Sequence, residues 1–301
     1  MQTGASGRMA KRVRPADDPK RAAAGMDCAT AFQAVARDCL ARMQMQYSGT
    51  LAGDAEALHQ MRVAISRLRA SVAFFAPMTS DAEWPKLKKE LAWLHAMLGD
   101  ARDADVVAAL AQRKQYRDWA ADSDADSRRN HDRLYRRVVA GLRSARFRRL
   151  MDALLRWIER GPWLARRDGD MQRRRPGARE ACCERKLERW RTRLIRKGHR
   201  LETMGSKRRH RFRIKVKRYR YALEALGDIC APAVRDRLRR LLKPAKRLQG
   251  ALGDLRDLQR LRRVGAASRR PPGYRRQKKR LLAAARAALH DLEPPPSLTP
   301  V

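Results

Sequence analysis

Two stretches of the sequence repeat one pattern of basic residues, His-x-x-Arg-x-x-x-x-Arg-x-Arg. The first copy runs from His59 to Arg69 and the second from His210 to Arg220. An arginine side chain stays charged and can bond two phosphate oxygens at once, whereas histidine donates one hydrogen bond, more strongly when it is protonated. The repeated pattern therefore indicates a function that uses concentrated positive charge, which is the binding of a polyanion.

The spacing within each copy predicts a helix. At about 100° per residue, the histidine and the positions three, seven and ten residues later share one sector of a helix. Apolar residues such as Met61 and Ile65, or Phe212 and Val216, occupy the neighbouring sector. Each helix should thus carry a basic ridge beside its core-facing stripe. The candidate binding residues are His59, Arg62, Arg67, Arg69, His210, Arg213, Lys217, Arg218 and Arg220.

The charge of the whole chain agrees with an anionic partner. Lys and Arg number 71 against 32 Asp and Glu, for a formal net charge of +39. Confining such charge in a compact fold costs stability through self-repulsion, so a polyanion is the expected partner: nucleic acid, polyphosphate or an anionic surface. The alternative is that many arginines only form solvated faces, which suits residues 128–149 as well as a binding role does.

Other features of the sequence narrow the class of protein. The five cysteines lack C-x-x-C spacing, which predicts reduced thiols without a zinc cluster. No signal peptide or uninterrupted apolar run of membrane-spanning length occurs, so a cytoplasmic protein is expected. Metal-ligand spacings, a Gly-rich phosphate loop and a nucleophile–base pattern are missing as well. The prediction is a protein that is not an enzyme and uses no metal or cofactor.

A second motif is also written twice. Leu98-Gly99-Asp100-Ala-Arg102-Asp103 follows the first basic pattern, and Leu252-Gly253-Asp254-Leu-Arg256-Asp257 follows the second. Two motifs in the same order at similar separation indicate a tandem structural repeat. Each glycine is expected to end one helix and each following aspartate to cap the next. Since no stretch alternates as strands do, the fold class is all-α.

The predicted organisation is one long helical domain between two irregular ends. A basic leader covers residues 1–25, the helical domain covers 26–290, and a Pro-rich tail covers 291–301. The first repeat spans about 26–121 and the second about 178–290. A linker at 122–127, a central helical region at 128–160 and a loop at 161–177 join them. Within the repeats, the sequence predicts a helix break at 48–50, N-caps at Asp54 and at Ser80 or Asp81, a turn at 228–232 and a terminal helix over Tyr274–His290.

With these motifs in hand, the chain resembles the CHAD domain family, named for its helices and histidines. The two basic helices, the two Leu-Gly-Asp-x-Arg-Asp motifs and the segment from Ser144 to Trp157, similar to the family's central helix, carry the resemblance over about residues 26–290. The resemblance implies two pseudo-symmetric antiparallel four-helix bundles forming one compact unit, with the basic helices lining a central cleft or pore. It also implies binding of inorganic polyphosphate and association with polyphosphate granules in the cytoplasm. Some members carry a triphosphate tunnel enzyme domain, but its Glu-x-Glu-x-Lys signature is absent from this sequence.

The predicted function is therefore polyphosphate binding, with the second copy contributing more charge because Lys217 stands where the first copy has Ser66. The alternatives are a nucleic-acid-binding protein and an accessory scaffold to a separate triphosphate-processing enzyme. Five further basic residues are second-tier candidates for contact with the polyanion: Lys89, Arg102, Lys243, Lys246 and Arg256. The other histidines, His95, His131, His199 and His290, are predicted to be structural. His59 and His210 have a structural alternative, in which each bonds a carboxylate.

Overall fold

The chain is described from a computed structural model, which covers residues 28–117, 124–165, 176–227, 230, 232–264 and 270–294. These ranges are helical with short turns and contain no strand, which confirms the predicted all-α class. The predicted basic leader and residues 295–301 of the Pro-rich tail lie outside them. None of the helices in these ranges combines the length and apolar character that a membrane crossing needs.

The helices are numbered in chain order. They are α1 (Cys28–Met45), α2 (Tyr47–Leu51), α3 (Ala55–Phe74), α4 (Ala76–Thr79), α5 (Trp84–Ala111), α6 (Asp124–Arg143), α7 (Ala145–Arg160), α8 (Pro176–Gly198), α9 (Ser206–Gly227), α10 (Pro232–Val264) and α11 (Tyr274–His290). A 3-10 turn, Pro162–Leu164, follows α7. The first basic pattern lies on α3 and the second on α9.

Side-chain caps begin several helices, at the predicted residues Asp54 and Asp81 and at Ser144, where no helix start is predicted. The Asp54 carboxylate accepts a hydrogen bond from the Glu56 amide at 2.8 Å and begins α3. Asp81 accepts from the Trp84 amide at 2.8 Å at the start of α5. The hydroxyl of Ser144 accepts from the Phe147 amide at 3.3 Å and begins α7. Satisfying otherwise unpaired amides in this way favours a helix start at these residues.

Three predicted boundaries are wrong. The Ser144 cap divides the central region, predicted as one helix, into α6 and α7. Residues 124–127 of the predicted linker belong to α6, and 118–123 are outside the described ranges. The expected break at residues 48–50 is the short helix α2. Most of the loop predicted at 161–177 is also outside those ranges, as are parts of the turn predicted at 228–232.

The largest correction concerns the two Leu-Gly-Asp motifs, which do not end helices. Helix α5 continues through Gly99 to Ala111, and α10 continues through Gly253 to Val264. A glycine inside a helix costs about 1 kcal/mol relative to alanine. The leucine before each glycine, Leu98 or Leu252, is buried. Burial of such a side chain contributes about 1.5–3 kcal/mol, which outweighs the cost of the glycine.

Packing of the long helices brings the two repeats together. Helix α3 packs against α1, α5 and α9, while α10 packs against α5, α9 and α11. One connected set of buried apolar side chains includes residues of both repeats, among them Phe32, Leu68, Val216 and Leu252. The contact between α3 and α9 places the two basic patterns side by side. Division of this fold into two four-helix bundles remains a prediction.

Candidate anion-binding site

The two basic helices meet at the pair of positions where the repeats differ. Lys217 Nζ on α9 donates a hydrogen bond to Ser66 Oγ on α3 at 2.8 Å. The same hydroxyl lies 3.1 Å from Nε2 of His95 on α5. Two lysines at these positions would place like charges in contact, which is repulsive. Ser66 is therefore a hydrogen-bonding partner of Lys217 as well as a position of lower charge.

Lys217 lies in a group of cations that we call the basic cluster: Arg62, Arg69, Arg213, Lys217 and Arg220. Burial first, and then the charges of the four arginines, lower the pKa of the Lys217 ammonium to about 7. Burial also lowers the pKa values of Arg69 and Arg213. Loss of solvent and the presence of like charges both disfavour the protonated form of a basic side chain. The positive charge of the basic cluster therefore lowers the stability of the folded protein.

Arg62 explains why α5 carries a glycine at position 99. Its Nη1 donates to the His95 carbonyl at 2.7 Å, so the guanidinium lies directly against the α5 backbone. A Cβ on Gly99 would lie 2.7 Å from that nitrogen, closer than side chains approach. Burial lowers the pKa of Arg62 to about 10. At Gly253, the matching position of the second repeat, a Cβ would meet nothing within 4 Å.

This difference predicts opposite effects of two matched substitutions. Gly99→Ala should destabilise the protein by up to about 2 kcal/mol, because forcing Arg62 off the backbone costs about 1–3 kcal/mol while higher helix propensity returns about 1 kcal/mol. Gly253→Ala should be neutral or stabilise by up to about 1 kcal/mol through higher helix propensity. Urea denaturation of both variants measures the difference. Equal free energies of unfolding for the two would contradict the role given to Gly99.

Two carboxylates border the basic cluster on the side of α5 and α10. Arg260 bridges them, with Nη2 at 2.6 Å from Asp103 and Nη1 at 2.9 Å from Asp257. These acids end the two Leu-Gly-Asp-x-Arg-Asp motifs, which thus contribute to the site through their last residue. Arg260 was not predicted, because the residue in register in the first repeat is Val106. The repeat comparison gave no signal for it.

The two histidines that begin the basic patterns, His59 and His210, have lowered pKa values, which favours their neutral form. Burial and the charge of Arg102 lower the pKa of His59, and burial with Arg256 lowers that of His210. His210 Nδ1 is buried and has no hydrogen-bond partner among the described residues. No hydrogen bond or ion pair to a carboxylate is seen for either histidine in those residues, which is contrary to the structural alternative.

His95 was predicted to be structural but lies beside the basic cluster. Its pKa falls to about 3, first through burial and then through the charges of Arg62, Lys217, Arg69 and Arg213. Its backbone carbonyl accepts a hydrogen bond from Arg62, and its ring lies within hydrogen-bonding distance of the Ser66 hydroxyl. The sequence offers one indication that His95 lies near the site, which is its position one helical turn before Gly99. His131 is held by the buried carboxylate of Asp105, with Nε2 at 3.0 Å, as expected of a structural histidine.

Several predicted residues are partly neutralised or lie outside the basic cluster. Arg220 belongs to it, but its Nε donates to Gln249 and its Nη1 to Glu224, both at 2.7 Å. Lys246 lies 3.7 Å from the same Glu224 carboxylate. Arg67 turns the other way, toward Asp38 of α1 at 3.7 Å. Arg218 is exposed beside Arg69, whose pKa it lowers.

The remaining second-tier candidates fall into two groups. Arg256 is half-buried, and its charge acts on both His210 and Arg213. Arg102 donates to the Ala55 carbonyl at 3.4 Å and lies beside His59. Both belong to the margin of the basic cluster. Lys89 and Lys243 are exposed, and the charge of Lys89 acts on Glu90, which binds Arg146 of α7. Nothing in the structure places these two lysines in the basic cluster.

Comparison with known proteins identifies the family. A family model described as the CHAD domain matches residues 34–266. The crystal structure of the CHAD domain from the plant Ricinus communis is similar with a TM-score of 0.70 at 26% identity, over 89% of this chain and 93% of that chain. PptA from Streptomyces chartreusis shares the fold, with a TM-score of 0.55 at 15% identity over 88% of this chain and 93% of that chain. A comparison with curated protein sequences found no match. Because the family model spans most of its length, the chain belongs to the CHAD domain family.

Proposed function

We propose that the protein binds inorganic polyphosphate at the basic cluster, without a chemical step. The observation that carries this proposal is the juxtaposition of Arg69, Arg213 and Lys217 in partly buried positions. Arg69 and Arg213 have no ion pair or hydrogen bond within the part of the chain that the structure describes, and Lys217 bonds only a neutral hydroxyl there. Positive charge held at a cost to stability is expected where an anion is bound.

The chemistry of polyphosphate matches such a site. Each unit of the chain carries roughly one negative charge, and the chain has no bases to read. Donors mounted on two long helices that pack together lose little conformational freedom on binding, apart from side-chain ordering. Arginine forks bond phosphate oxygens in pairs, and Lys217 adds a point charge.

Nucleic acid fits the basic cluster less well. Single-stranded nucleic acids bind by stacking their bases on aromatic side chains. The ring next to the basic cluster, Tyr221, is 2% exposed and is covered by the Arg220 guanidinium at 4.2 Å. It cannot receive a base without displacing that arginine. The net charge alone would still attract nucleic acid without specificity.

Competition at matched salt tests the proposal. We expect labelled long-chain polyphosphate to stay bound when duplex DNA is added at an equal concentration of phosphate groups. We also expect affinity to fall steeply with salt, because binding releases counterions from the polyanion. Complete displacement by DNA, or an affinity independent of salt, would contradict the proposal. Binding of this kind would also place the protein on polyphosphate granules.

A further inference from the structure

A second basic surface lies where the chain after α5 meets the start of α11. We call it the second groove and define it by four exposed side chains, Arg113, Lys114, Arg276 and Arg280. The groove is open to solvent on one side and has a volume of about 780 Å³. This volume is within the range of small-ligand sites. None of the four residues belongs to the basic cluster or to the repeated patterns.

The walls of the second groove are fixed by a buried tyrosine. Tyr116 is 1% exposed, and its hydroxyl donates to Gln277 Oε1 on α11. Its amide donates to the Arg113 carbonyl at 2.8 Å, which closes the turn that carries Arg113 and Lys114. On the other wall, Gly273 adopts a left-handed φ of 67° and leads directly into α11. The four cations are therefore mounted on backbone that packing and hydrogen bonds hold in place.

Carboxylates lie between the second groove and the basic cluster. A neighbouring cavity of about 350 Å³ shares Arg113 and Arg280 with the groove, and Asp105, Asp254 and Asp257 also line it. Asp254 lies close enough to Arg113 and Arg280 for their charges to oppose the rise in its pKa that burial causes. A polyanion passing from the basic cluster to the groove by this route would meet these three carboxylates and, apart from the two shared arginines, one lining cation, Arg102. The groove and the basic cluster are thus two positively charged regions separated by carboxylates.

From this geometry we infer that the second groove is an additional binding site for a condensed phosphate chain, which makes the protein bivalent. The inference rests on the proposed function of the basic cluster. Arg113, Arg276 and Arg280 supply planar donors for phosphate oxygens, and Lys114 supplies a point charge. These side chains are more exposed than those of the basic cluster, so screening by solvent and salt makes the second site the weaker one.

Bivalency has a consequence for long chains. A protein with two separate sites joins two polymers, or two distant segments of one polymer, and each bound site raises the effective concentration at the other. A protein of this kind condenses long polyphosphate into larger particles, whereas a protein with one site only coats it. The second groove thus gives the protein a role in the assembly of polyphosphate.

Titration with a short chain tests the number of sites. By isothermal calorimetry with tripolyphosphate at low salt, we expect two binding events for the wild-type protein. The variant Arg113→Ala/Arg276→Ala/Arg280→Ala should lose about tenfold or more in the weaker event and keep the tighter one. The matched control Arg136→Ala/Arg143→Ala/Arg149→Ala removes three exposed charges elsewhere and should keep both. One event in the wild type, or equal losses in the two variants, would overturn the inference.

Two further measurements separate this inference from the proposed function. Tyr116→Phe should weaken the weaker event alone, because it loosens the wall without removing charge. Dynamic light scattering with long-chain polyphosphate should show large particles for the wild type and the control, and small complexes for the groove variant. Particles of unchanged size with the groove variant would overturn bivalency. Loss of the tighter event on substitution of the basic cluster tests the proposed function independently.

Discussion

Replacing Arg69, Arg213 and Lys217 together by alanine is expected to weaken the binding of long-chain polyphosphate by about two orders of magnitude or more. Hydrogen bonds to charged groups contribute about 1.5–3 kcal/mol each, and part of this is lost to non-additivity. These three side chains have no acidic partner within ion-pair distance among the described residues. Arg220 is left out of the set because Gln249 and Glu224 already hold its guanidinium.

The control for this experiment removes the same formal charge from the exposed faces of α6 and α7. Arg136, Arg143 and Arg149 are exposed, so solvent and salt screen their attraction for a distant polyanion. Their joint replacement by alanine should change affinity by about threefold or less at physiological salt. Equal losses for the two triple variants would show diffuse attraction by the net charge of the protein in place of a site.

The second large effect is expected for Lys217→Met, which keeps the length of the side chain and removes its charge. At pH 7 this variant should be more stable than the wild type by about 3 kcal/mol, since a pKa near 7 against 10.5 is a cost to folding of a few kcal/mol. The same variant should bind polyphosphate more weakly. A gain in stability joined to a loss in binding is the expected sign of a residue kept for function.

The pH dependence of this effect has a definite sign. Because the folded-state pKa of Lys217 is lowered, between about pH 7 and 10.5 the unfolded chain holds a proton that the folded chain has released. The stability of the wild type should therefore rise with pH across this window, and Lys217→Met should lack that part of the rise. Urea denaturation of both proteins at pH 7 and 9.5 measures it. Lower stability of the variant at pH 7 would mean that the bond to Ser66 dominates.

The same titration should affect binding in the opposite direction. A bound phosphate chain stabilises the protonated amine, so binding at pH 8–9 takes up a proton and affinity falls as pH rises. His59, His95 and His210 face the same region, and burial lowers the pKa of each ring below its ordinary value, so they are already neutral in this range. The guanidinium groups of Arg62, Arg69, Arg213 and Arg220 also face Lys217 and lower its pKa. We therefore assign the uptake of the proton to Lys217. Calorimetry in buffers of different ionisation enthalpy counts the protons.

Local patterns in the sequence were sufficient for the elements that carry the site. The 3.6-residue period and the Asp54 cap predict helices near α3 and α9, and the terminal helix is found at the predicted Tyr274–His290. The sequence predicts Arg67 as a binding residue, but Arg67 lies one residue beyond Ser66 and is therefore turned about 100° from it. In the structure it contacts Asp38 and lies outside the basic cluster. These features depend on neighbours within a few turns of the chain.

Only the tertiary structure decided which residues of the two ridges meet. The contact of Ser66 with Lys217 joins positions 151 residues apart. The need for glycine at position 99 comes from Arg62, which lies on another helix. The ion pair between Arg260 and Asp103 forms only because α5 packs on α10. Helix periodicity determines which face a side chain occupies, because it reflects local geometry. The partner of that face follows from how the buried surfaces of distant helices fit together, and no local spacing contains that information.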